Sequence, residues 1–316
     1  MGNRLTESTW GTAVTDTARL MGVTDCKITP VNNALVFEEY RGNLAGAFDS
    51  ALSEIGASGT LSLRGTYQDL PYLLESMFGT VTPTGTNPYV RAGNAPTTAV
   101  PARRLLTLVY GDGTNIYKAT SAIVSKLTIK GAAKQPLTVT ADLIAANVST
   151  GTFASLSDRT VATCMGNQAT VYVDAWGGTV GTTALSATAW DFTLTLDSGA
   201  MLDHYLGGLA AGAYHDGSSW KGTLEMNYEL KAATKAYLDN VIGGTALEQR
   251  QIRIGYTTGA SAILNFDFAG TMEKAPDLFD YRDDVTGIKL SYTRQYNTTL
   301  GNWFKYSSTN AVATLP

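Results

Sequence analysis

Two histidines are the side chains of this sequence best suited to proton transfer near neutral pH. His204 lies in a glycine-rich apolar stretch, and His215 precedes Asp216 and Gly217 in a pattern typical of a turn. The sequence contains no HExxH pair, no Gly-x-Ser-x-Gly elbow and no Walker loop. A Ser/His/Asp triad is assembled in space, so the sequence leaves that arrangement open. The neighbouring residues favour structural histidines, and we predict no catalytic residue.

The acidic residues suggest no metal-binding or sugar-cleaving site. Asp280, Asp283 and Asp284 form the densest group, but they lack the glycine and the terminal glutamate of a calcium-binding loop. Asp112 stands between two glycines and indicates a hairpin turn. No two acids stand out as the paired carboxylates of a glycosidase. We therefore expect an exposed loop around the three clustered aspartates, and we predict no metal and no cofactor.

The two cysteines are expected to be free thiols. Cys26 and Cys164 lie one in each half of the chain, without a CxxC pair or a Cys/His cluster of zinc-ligand spacing. We interpret them as buried thiols of a protein kept in a reducing compartment. The N-terminus lacks the apolar run of a signal peptide, and no stretch is apolar enough to span a membrane, so we expect synthesis in the cytoplasm.

The composition favours a protein that packs against other protein surfaces. Charged residues make up 16% of the sequence, below the usual share of about 25%. Small polar residues replace them, as in a subunit of a large assembly or in an extracellular adhesin. The formal net charge is −4, without the clustered bases of a nucleic-acid-binding domain. Such mild acidity suits a surface along which nucleic acid slides, and equally an ordinary acidic protein.

A segment near the start of the chain returns beyond its middle. Gly59–Leu63 reads Gly-Thr-Leu-Ser-Leu and Gly222–Met226 reads Gly-Thr-Leu-Glu-Met, an offset of 163 (222 − 59). Each copy is followed by a helical stretch and two strands. These are expected at 68–79, 117–129 and 137–145 in the first copy, and at 231–243, 263–272 and 288–296 in the second. The period is too long for a solenoid repeat of roughly 20–50 residues, and it predicts two copies of one domain.

Local patterns predict a mainly β chain. Alternation of apolar and polar residues over 189–197 is typical of a strand. A short helix is expected to start after Asp69, with Leu70 and Pro71 at its first positions, and to stop at Gly79. Its apolar residues recur at helical spacing and predict a face that lies on a sheet.

The boundaries follow from these patterns. We expect an N-terminal arm at 1–25, a first domain at 26–155 with a long loop at 80–103, a second domain at 156–297 and a C-terminal arm at 298–316. The Trp10 side chain is expected to be buried in its own domain or in a neighbouring subunit. Trp303, Phe304 and Tyr306 are candidate anchors of the second arm.

Several segments resemble the major tail tube proteins of long-tailed, non-contractile bacteriophages. The opening Glu-Ser-Thr-Trp-Gly-Thr-Ala-Val at 7–14 is similar to the start of that family, and the stretch at 67–75 to its helix. Further similarity follows in order at 110–113, 117–120, 137–144, 166–174 and 192–199. Each match is short, but their order and spacing cover most of the chain.

This resemblance implies a structural protein of the virion tail and not an enzyme. The family's fold has two antiparallel sheets with a flanking helix and a long hairpin, and the sheets join neighbours into a ring-shaped β-barrel. Relatives with one such domain form hexameric rings, so two tandem copies imply a trimeric ring with pseudo-sixfold symmetry. The rings stack into a tube through which DNA passes without specific binding, and no membrane is involved. The implied partners are the tape-measure protein, the tail tip and the tail terminator.

The expected stacking contacts are the two arms and the 80–101 loop. On this view, deleting the residues before Asp25 leaves folded rings that do not stack. Three other functions are open: a tail terminator or head–tail connector, a carbohydrate-binding β module, and an unrecognised hydrolase. Assembly behaviour separates the first, the missing secretion signal argues against the second, and replacing His204 and His215 by alanine tests the third.

Overall fold

The chain folds mainly into antiparallel β-strands, as the alternation patterns predicted. The computed structural model describes residues 3–7, 9–15, 18–39, 46–185, 188–217, 219–242, 248–273, 280–282 and 284–315. In the first half the strands are β1 (Asn3–Glu7), β2 (Ala18–Arg19), β3 (Val23–Glu38), β4 (Ala47–Arg64), β5 (Tyr89–Asn94), β6 (Leu105–Gly111), β7 (Ile116–Ala132), β8 (Thr138–Ala145) and β9 (Asn147–Thr150), and helix α1 is Leu70–Phe78. In the second half they are β10 (Ala169–Ala175), β11 (Ala189–Asp197), β12 (Met201–Asp203), β13 (Ala213–His215), β14 (Lys221–Glu229), β15 (Gln249–Thr257), β16 (Ile263–Thr271), β17 (Asp280–Arg282), β18 (Val285–Arg294) and β19 (Phe304–Asn310), with helix α2 at Ala232–Ile242.

One sheet, here called the main sheet, runs through both halves of the chain. Its strands β3, β4, β8, β7, β11, β14 and β18 are hydrogen-bonded in that order, and every pair is antiparallel. The halves meet where β7 pairs with β11, with Leu127 opposite Leu196 and Ile129 opposite Leu194. These four side chains are fully buried. The apolar face of the main sheet is therefore continuous across the boundary between the halves.

Two further groups of strands and the two-stranded β12–β13 ribbon complete the fold. The first group contains β2, β1, β6, β7 and β9, and the second contains β10, β15, β16, β19 and β5. The second group is joined to the main sheet where β16 pairs with the end of β18. The long strand β7 belongs to two sheets because it pairs with β9 over Tyr117–Thr120 and with β11 over Lys126–Ala132. The buried apolar residues of both halves form one cluster.

Strand pairing follows the same scheme in the two halves. In the first, Leu61 of β4 lies opposite Cys26 of β3 and Ala141 of β8. In the second, Leu224 of β14 lies opposite Leu194 of β11 and Tyr292 of β18. The offset is 163 from Leu61 to Leu224 (224 − 61) and 151 from Ala141 to Tyr292 (292 − 141). The same two offsets relate the segments that the sequence alone aligned.

The two helices differ in how they are covered. All nine residues of α1 are buried, whereas Thr234 and Leu238 are the buried residues of α2. The start of α1 at Leu70 and its end before Gly79 confirm the predicted bounds. Gly243, the expected end of the second helix, lies outside the described residues.

The main sheet remains open in the single chain. Among the described residues, β3 pairs with β4 alone, so it forms one end of the sheet. At the other end β18 pairs with β17 over Val285–Gly287 and with the end of β16 over Thr293–Arg294, so that β17 is the outermost strand over only the first part of β18. The strands described here do not close into a barrel within one chain. The ring-shaped barrel implied by the resemblance thus needs more than one chain.

Candidate assembly surfaces

The two open ends of the main sheet expose backbone groups that can form hydrogen bonds with another strand. An edge strand presents unpaired N–H and C=O groups that can pair with another chain. β3 provides such an edge over 16 residues, which is long for an edge strand. At the opposite end the three-residue strand β17 pairs with Val285–Gly287 of β18. The sheet therefore offers one long and one short edge for strand addition.

The hairpin of β3 and β4 extends beyond the body of the fold. β8 accompanies β4 only from Ala57 to Arg64, so the outer part of the hairpin is two-stranded except for one bridge between Ile55 and Ala210. Its exposed apolar side chains are Val31, Leu35, Val36, Phe37 and Leu52. A two-stranded hairpin is marginally stable in water on its own, and Leu35, Val36 and Phe37 are consecutive residues that expose apolar side chains on both of its faces. Exposed apolar surface of this kind is typical of an interaction site. The tip at 40–45 lies outside the described residues.

The N-terminal segment is tied into its own chain. β1 pairs with β6 along its whole length. The buried carboxylate of Glu7 accepts hydrogen bonds from the backbone N–H of Ser121 and from the hydroxyls of Thr107 and Ser121. The Trp10 indole N–H donates to the Ala211 carbonyl at 2.7 Å. Trp10 was expected in its own domain or in a neighbouring subunit, whereas in the structure it contacts Ala211 and Tyr214 of the predicted second domain in the same chain.

The long loop at 80–103 contains a strand that its composition did not predict. β5 pairs with β19 over six residues, from Tyr89 opposite Asn310 to Asn94 opposite Lys305. The fully buried Arg91 places its Nε 3.3 Å from Glu75 Oε1 on α1 and donates from Nη2 to the Ala313 carbonyl. This segment is thus a strap between α1 and the C-terminal strand.

The buried carboxylate of Glu75 is shared by two arginines. Arg104 Nη2 lies 2.7 Å from Glu75 Oε2, on the other side of the carboxylate from Arg91. Burial raises the pKa of Glu75 above its ordinary value, and the two arginines oppose that rise. Burial likewise lowers the pKa of Arg91. The ion pair between Arg91 and Glu75 holds the strap against α1.

The residues expected as a C-terminal arm lie in the core. Trp303, Phe304 and Tyr306 are buried, and the Phe304 ring stacks on Phe78 at a centroid distance of 5.1 Å. β19 is hydrogen-bonded to β16 on one side and to β5 on the other. The three predicted anchors therefore act within their own chain.

His204 contacts the β4 strand beside the small β12–β13 ribbon, and His215 joins the two strands of that ribbon. His204 Nε2 lies 3.2 Å from the Ile55 carbonyl, and the Ile55 N–H donates to Leu209. His215 Nδ1 lies 2.6 Å from Asp203 Oδ1 on the neighbouring strand of the ribbon. Next to it, the buried pair Arg103–Asp216 joins the ribbon to the end of the 80–103 segment. These contacts give both histidines structural roles.

The other residues singled out from the sequence are the two cysteines and several aspartates. Cys164 is buried and Cys26 half-buried, both free, and burial raises the pKa of Cys26 to about 11. Asp112 caps the turn between β6 and β7 by accepting the N–H groups of Thr114 and Asn115, which confirms the predicted turn. Asp284 is exposed, Asp283 lies outside the described residues, and for Asp280 only the backbone is described.

Among the described residues, no group of three or more His, Cys, Asp or Glu side chains is arranged to hold a metal ion. In the same part of the chain, no helix is long and apolar enough to cross a membrane.

The open sheet edges and the apolar hairpin are features of a β-rich building block of a larger assembly. A family profile described as phage tail tube protein matches residues 4–296. The chain therefore belongs to the phage tail tube protein family, whose members are structural components of the virion tail. No curated protein matches the sequence at a significant level.

Proposed function

We propose that this protein forms trimeric rings that stack into the tail tube, the channel through which DNA leaves the virion. The main support for this proposal is the pairing of β7 with β11. It joins the two halves by an antiparallel ladder from Lys126 opposite Asp197 to Ala132 opposite Asp191. One chain thus already contains a junction between two similar half-units.

The open ends of the main sheet match the strands of that junction. β3 pairs with β4 as β11 pairs with β14, so β3 takes in the first half the place of β11 in the second. β16 and β17 pair with successive parts of β18 as β7 pairs with β8, so β17 takes the place of the end of β7. Pairing of β17 with β3 of the next chain would repeat the junction within the chain. Three chains would then supply six similar half-units and close the sheet into a barrel.

Stacking of rings needs a second, axial contact. The β3–β4 hairpin is the surface best suited to it because its exposed apolar residues project beyond the main sheet. Within the segment predicted as a loop at 80–103, residues 97–100 are exposed and are a second candidate for the contact between rings. A head-to-tail contact of this kind does not close on itself and extends the assembly into a filament. The tape-measure protein, tail tip and tail terminator implied by the resemblance would set the tube's length and ends.

Negative-stain electron microscopy over a concentration series, with native mass measurements, tests this function. Stacked rings of three chains are expected. Six chains per ring would contradict our account of the two halves, and rings that never stack would favour a tail terminator. A monomer at every concentration, even with a tail-tip complex added, would contradict the tube itself.

Amide hydrogen exchange tests how the ring closes. Exchange in β3 should slow on assembly because its free edge gains hydrogen bonds. Exchange in β11 should stay unchanged, since β11 pairs on both sides in the single chain. Unchanged exchange in β3 within rings would exclude it as the closing edge.

A further inference from the structure

Two exposed charged residues stand at the edges of the main sheet that would meet between chains. On β3, Lys27 is exposed, whereas the next residue, Ile28, is only 5% exposed. At the other end, the exposed Glu273 follows Met272, which is 4% exposed. The Met272 N–H donates to the Glu248 carbonyl at 3.0 Å, so pairing with another chain would start at Glu273. Among the described residues, neither Lys27 nor Glu273 has an ion-pair partner.

The strand pairing of the two halves shows which position Lys27 occupies. Lys27 of β3 lies opposite Thr60 of β4, and Thr195 of β11 lies opposite Thr223 of β14. Thr60 and Thr223 are equivalent residues of the two sequence copies, with the offset of 163 (223 − 60). Lys27 therefore takes in the first half the place of Thr195 in the second.

The position of Glu273 follows in the same way. Thr271 at the end of β16 lies opposite Thr293 of β18, and Lys126 of β7 lies opposite Asp142 of β8. Thr293 and Asp142 differ by the offset of 151 (293 − 142) that relates β18 to β8. Thr271 thus takes the place of Lys126. Two residues further along, Glu273 takes the place of the residue two positions beyond Lys126.

The residues that Lys27 and Glu273 replace are partners within the chain. Thr128, two positions beyond Lys126, lies directly opposite Thr195 in the β7–β11 ladder. The same register between chains would place Glu273 directly opposite Lys27. Directly opposite residues of an antiparallel pair point to the same face, with Cβ atoms about 4.5–5.5 Å apart. The ammonium group and the carboxylate are then within reach of each other.

We propose that Lys27 of one chain and Glu273 of the next form an ion pair that sets the register in which the chains join. The inference rests on the proposed ring. A slip of one residue would turn one of the charges towards the core. A slip of two residues would put Glu273 opposite Asp25, which has the same charge, or opposite the uncharged Thr29. An exposed ion pair adds little affinity, so its effect is to select this register and this partner edge.

Charge reversal tests the ion pair through the concentration at which rings form. K27E places a second carboxylate opposite Glu273, and E273K places a second ammonium opposite Lys27. Each should raise that concentration about tenfold at low salt, where screening is weakest. The double variant K27E/E273K has opposite charges at every contact and should assemble within about threefold of the unsubstituted chain. Lys130→Glu, at an exposed position within the β7–β11 ladder, makes the same change in net charge as K27E and should leave the concentration unchanged.

Two results of this comparison would overturn the proposal. One is ring formation by K27E at the concentration of the unsubstituted chain, and the other is a double variant that assembles no better than the single variants. Urea unfolding should give the same midpoint for all the monomers, because both side chains lack an ion-pair partner among the described residues. Absence of rings in the unsubstituted protein would count against the proposed function instead, so the two failures are distinguishable.

A mixture of K27E and E273K chains separates the ion pair from the number of chains in the ring. Opposite charges then meet only between unlike chains, and three chains cannot alternate around a closed ring. Equal amounts of the two variants should therefore give pairs of unlike chains in native mass spectra and few closed rings. Complete rings would also support the ion pair but would require an even number of chains, against the proposed trimer. Association no stronger than that of each variant alone would overturn the ion pair.

Disulfide formation tests the register independently of charge. In a Cys26→Ser background, K27C/E273C places two thiols at directly opposite positions, where Cα atoms about 4.5–5.5 Å apart allow a disulfide. Oxidised rings should give covalent species of two and three chains in denaturing gels without reductant. T29C/E273C places the thiols on a diagonal about 7–8 Å apart and should give few of them. Efficient linkage by T29C/E273C but not by K27C/E273C would overturn the proposed register.

Discussion

Phe78 at the end of α1 stacks on Phe304 of the C-terminal strand, with ring centroids 5.1 Å apart, although the two residues come from opposite halves of the sequence. Tyr306 also contacts Phe78, at a centroid distance of 5.9 Å. The last strand of the chain thus completes the core around the first helix. This explains why α1 is buried throughout while α2 is not.

Phe304→Ala is expected to destabilise the isolated chain. Removing a fully buried aromatic ring leaves a cavity and costs on the order of 3–5 kcal/mol in the free energy of unfolding. Val312→Ala, at a half-buried position after β19, should cost far less. Urea unfolding of the monomers measures both. Equal stability of Phe304→Ala and the unsubstituted chain would restore the view that this segment is a free arm.

Glu75→Leu should destabilise the chain by on the order of 3–5 kcal/mol because it leaves the buried Arg91 without a carboxylate. The double variant E75L/R91M removes both buried charges and should recover a large part of that loss. Arg104 is partly exposed, so water can solvate it in both variants. Urea unfolding of the two variants gives the comparison. A double variant no more stable than Glu75→Leu would contradict the role given to the Arg91 charge.

Asp112→Asn should reduce the acid sensitivity of the fold. Hydrogen bonds from the backbone and side-chain N–H groups of Asn115, and then from the Thr114 N–H, lower the pKa of Asp112 to about 2, below its unfolded value of about 3.9. The stabilisation is therefore present above the unfolded pKa and is lost as the pH falls through about 2. Urea unfolding near pH 5 and near pH 3 should differ less in Asp112→Asn than in the unsubstituted chain. An identical difference would show that the turn does not perturb this carboxyl group.

Local sequence patterns predicted the elements whose residues alternate or recur at helical spacing. The helix at Leu70–Phe78 and the strand at Ala189–Asp197 have the predicted bounds. β5 escaped prediction because its short sequence lacks a clear alternation and its partner β19 lies at the far end of the chain. Arg91 within it looks like a surface residue until Glu75 is known to be beside it.

The alignment of polar residues across the main sheet was beyond sequence analysis for a different reason. Thr140, Thr128, Thr195 and Thr223 lie opposite one another on four neighbouring strands, but each is an ordinary residue of a polar strand face. Their alignment depends on the register of three strand pairings, and a shift of one residue in any of them would move a side chain to the other face.

Removal of residues 1–24 should unfold the chain or expose its core. The structure thereby replaces the earlier expectation that such a deletion yields folded rings that fail to stack. The deletion would remove β1 from the edge of β6 and take away Glu7, leaving Thr107 and Ser121 without their acceptor. Trp10→Ala is the milder test and should loosen the β12–β13 ribbon, seen as faster amide exchange at Ala211 and Tyr214. Folded, soluble rings from the deletion would contradict this prediction.

Val36→Asp is expected to block assembly without changing the stability of the monomer. Val36 is 60% exposed on the outer part of the β3–β4 hairpin, so an aspartate there disturbs no contact within the chain. It would place a charge in an apolar contact between rings, where burying an unpaired carboxylate is costly. Val36→Thr, which is close to valine in shape and carries no charge, is the matched control. Electron microscopy should show rings or single chains for Val36→Asp and tubes for Val36→Thr, while urea unfolding gives the same midpoint for both monomers. Tubes of normal length from Val36→Asp would remove the hairpin from the stacking contact and leave residues 97–100 as the candidate.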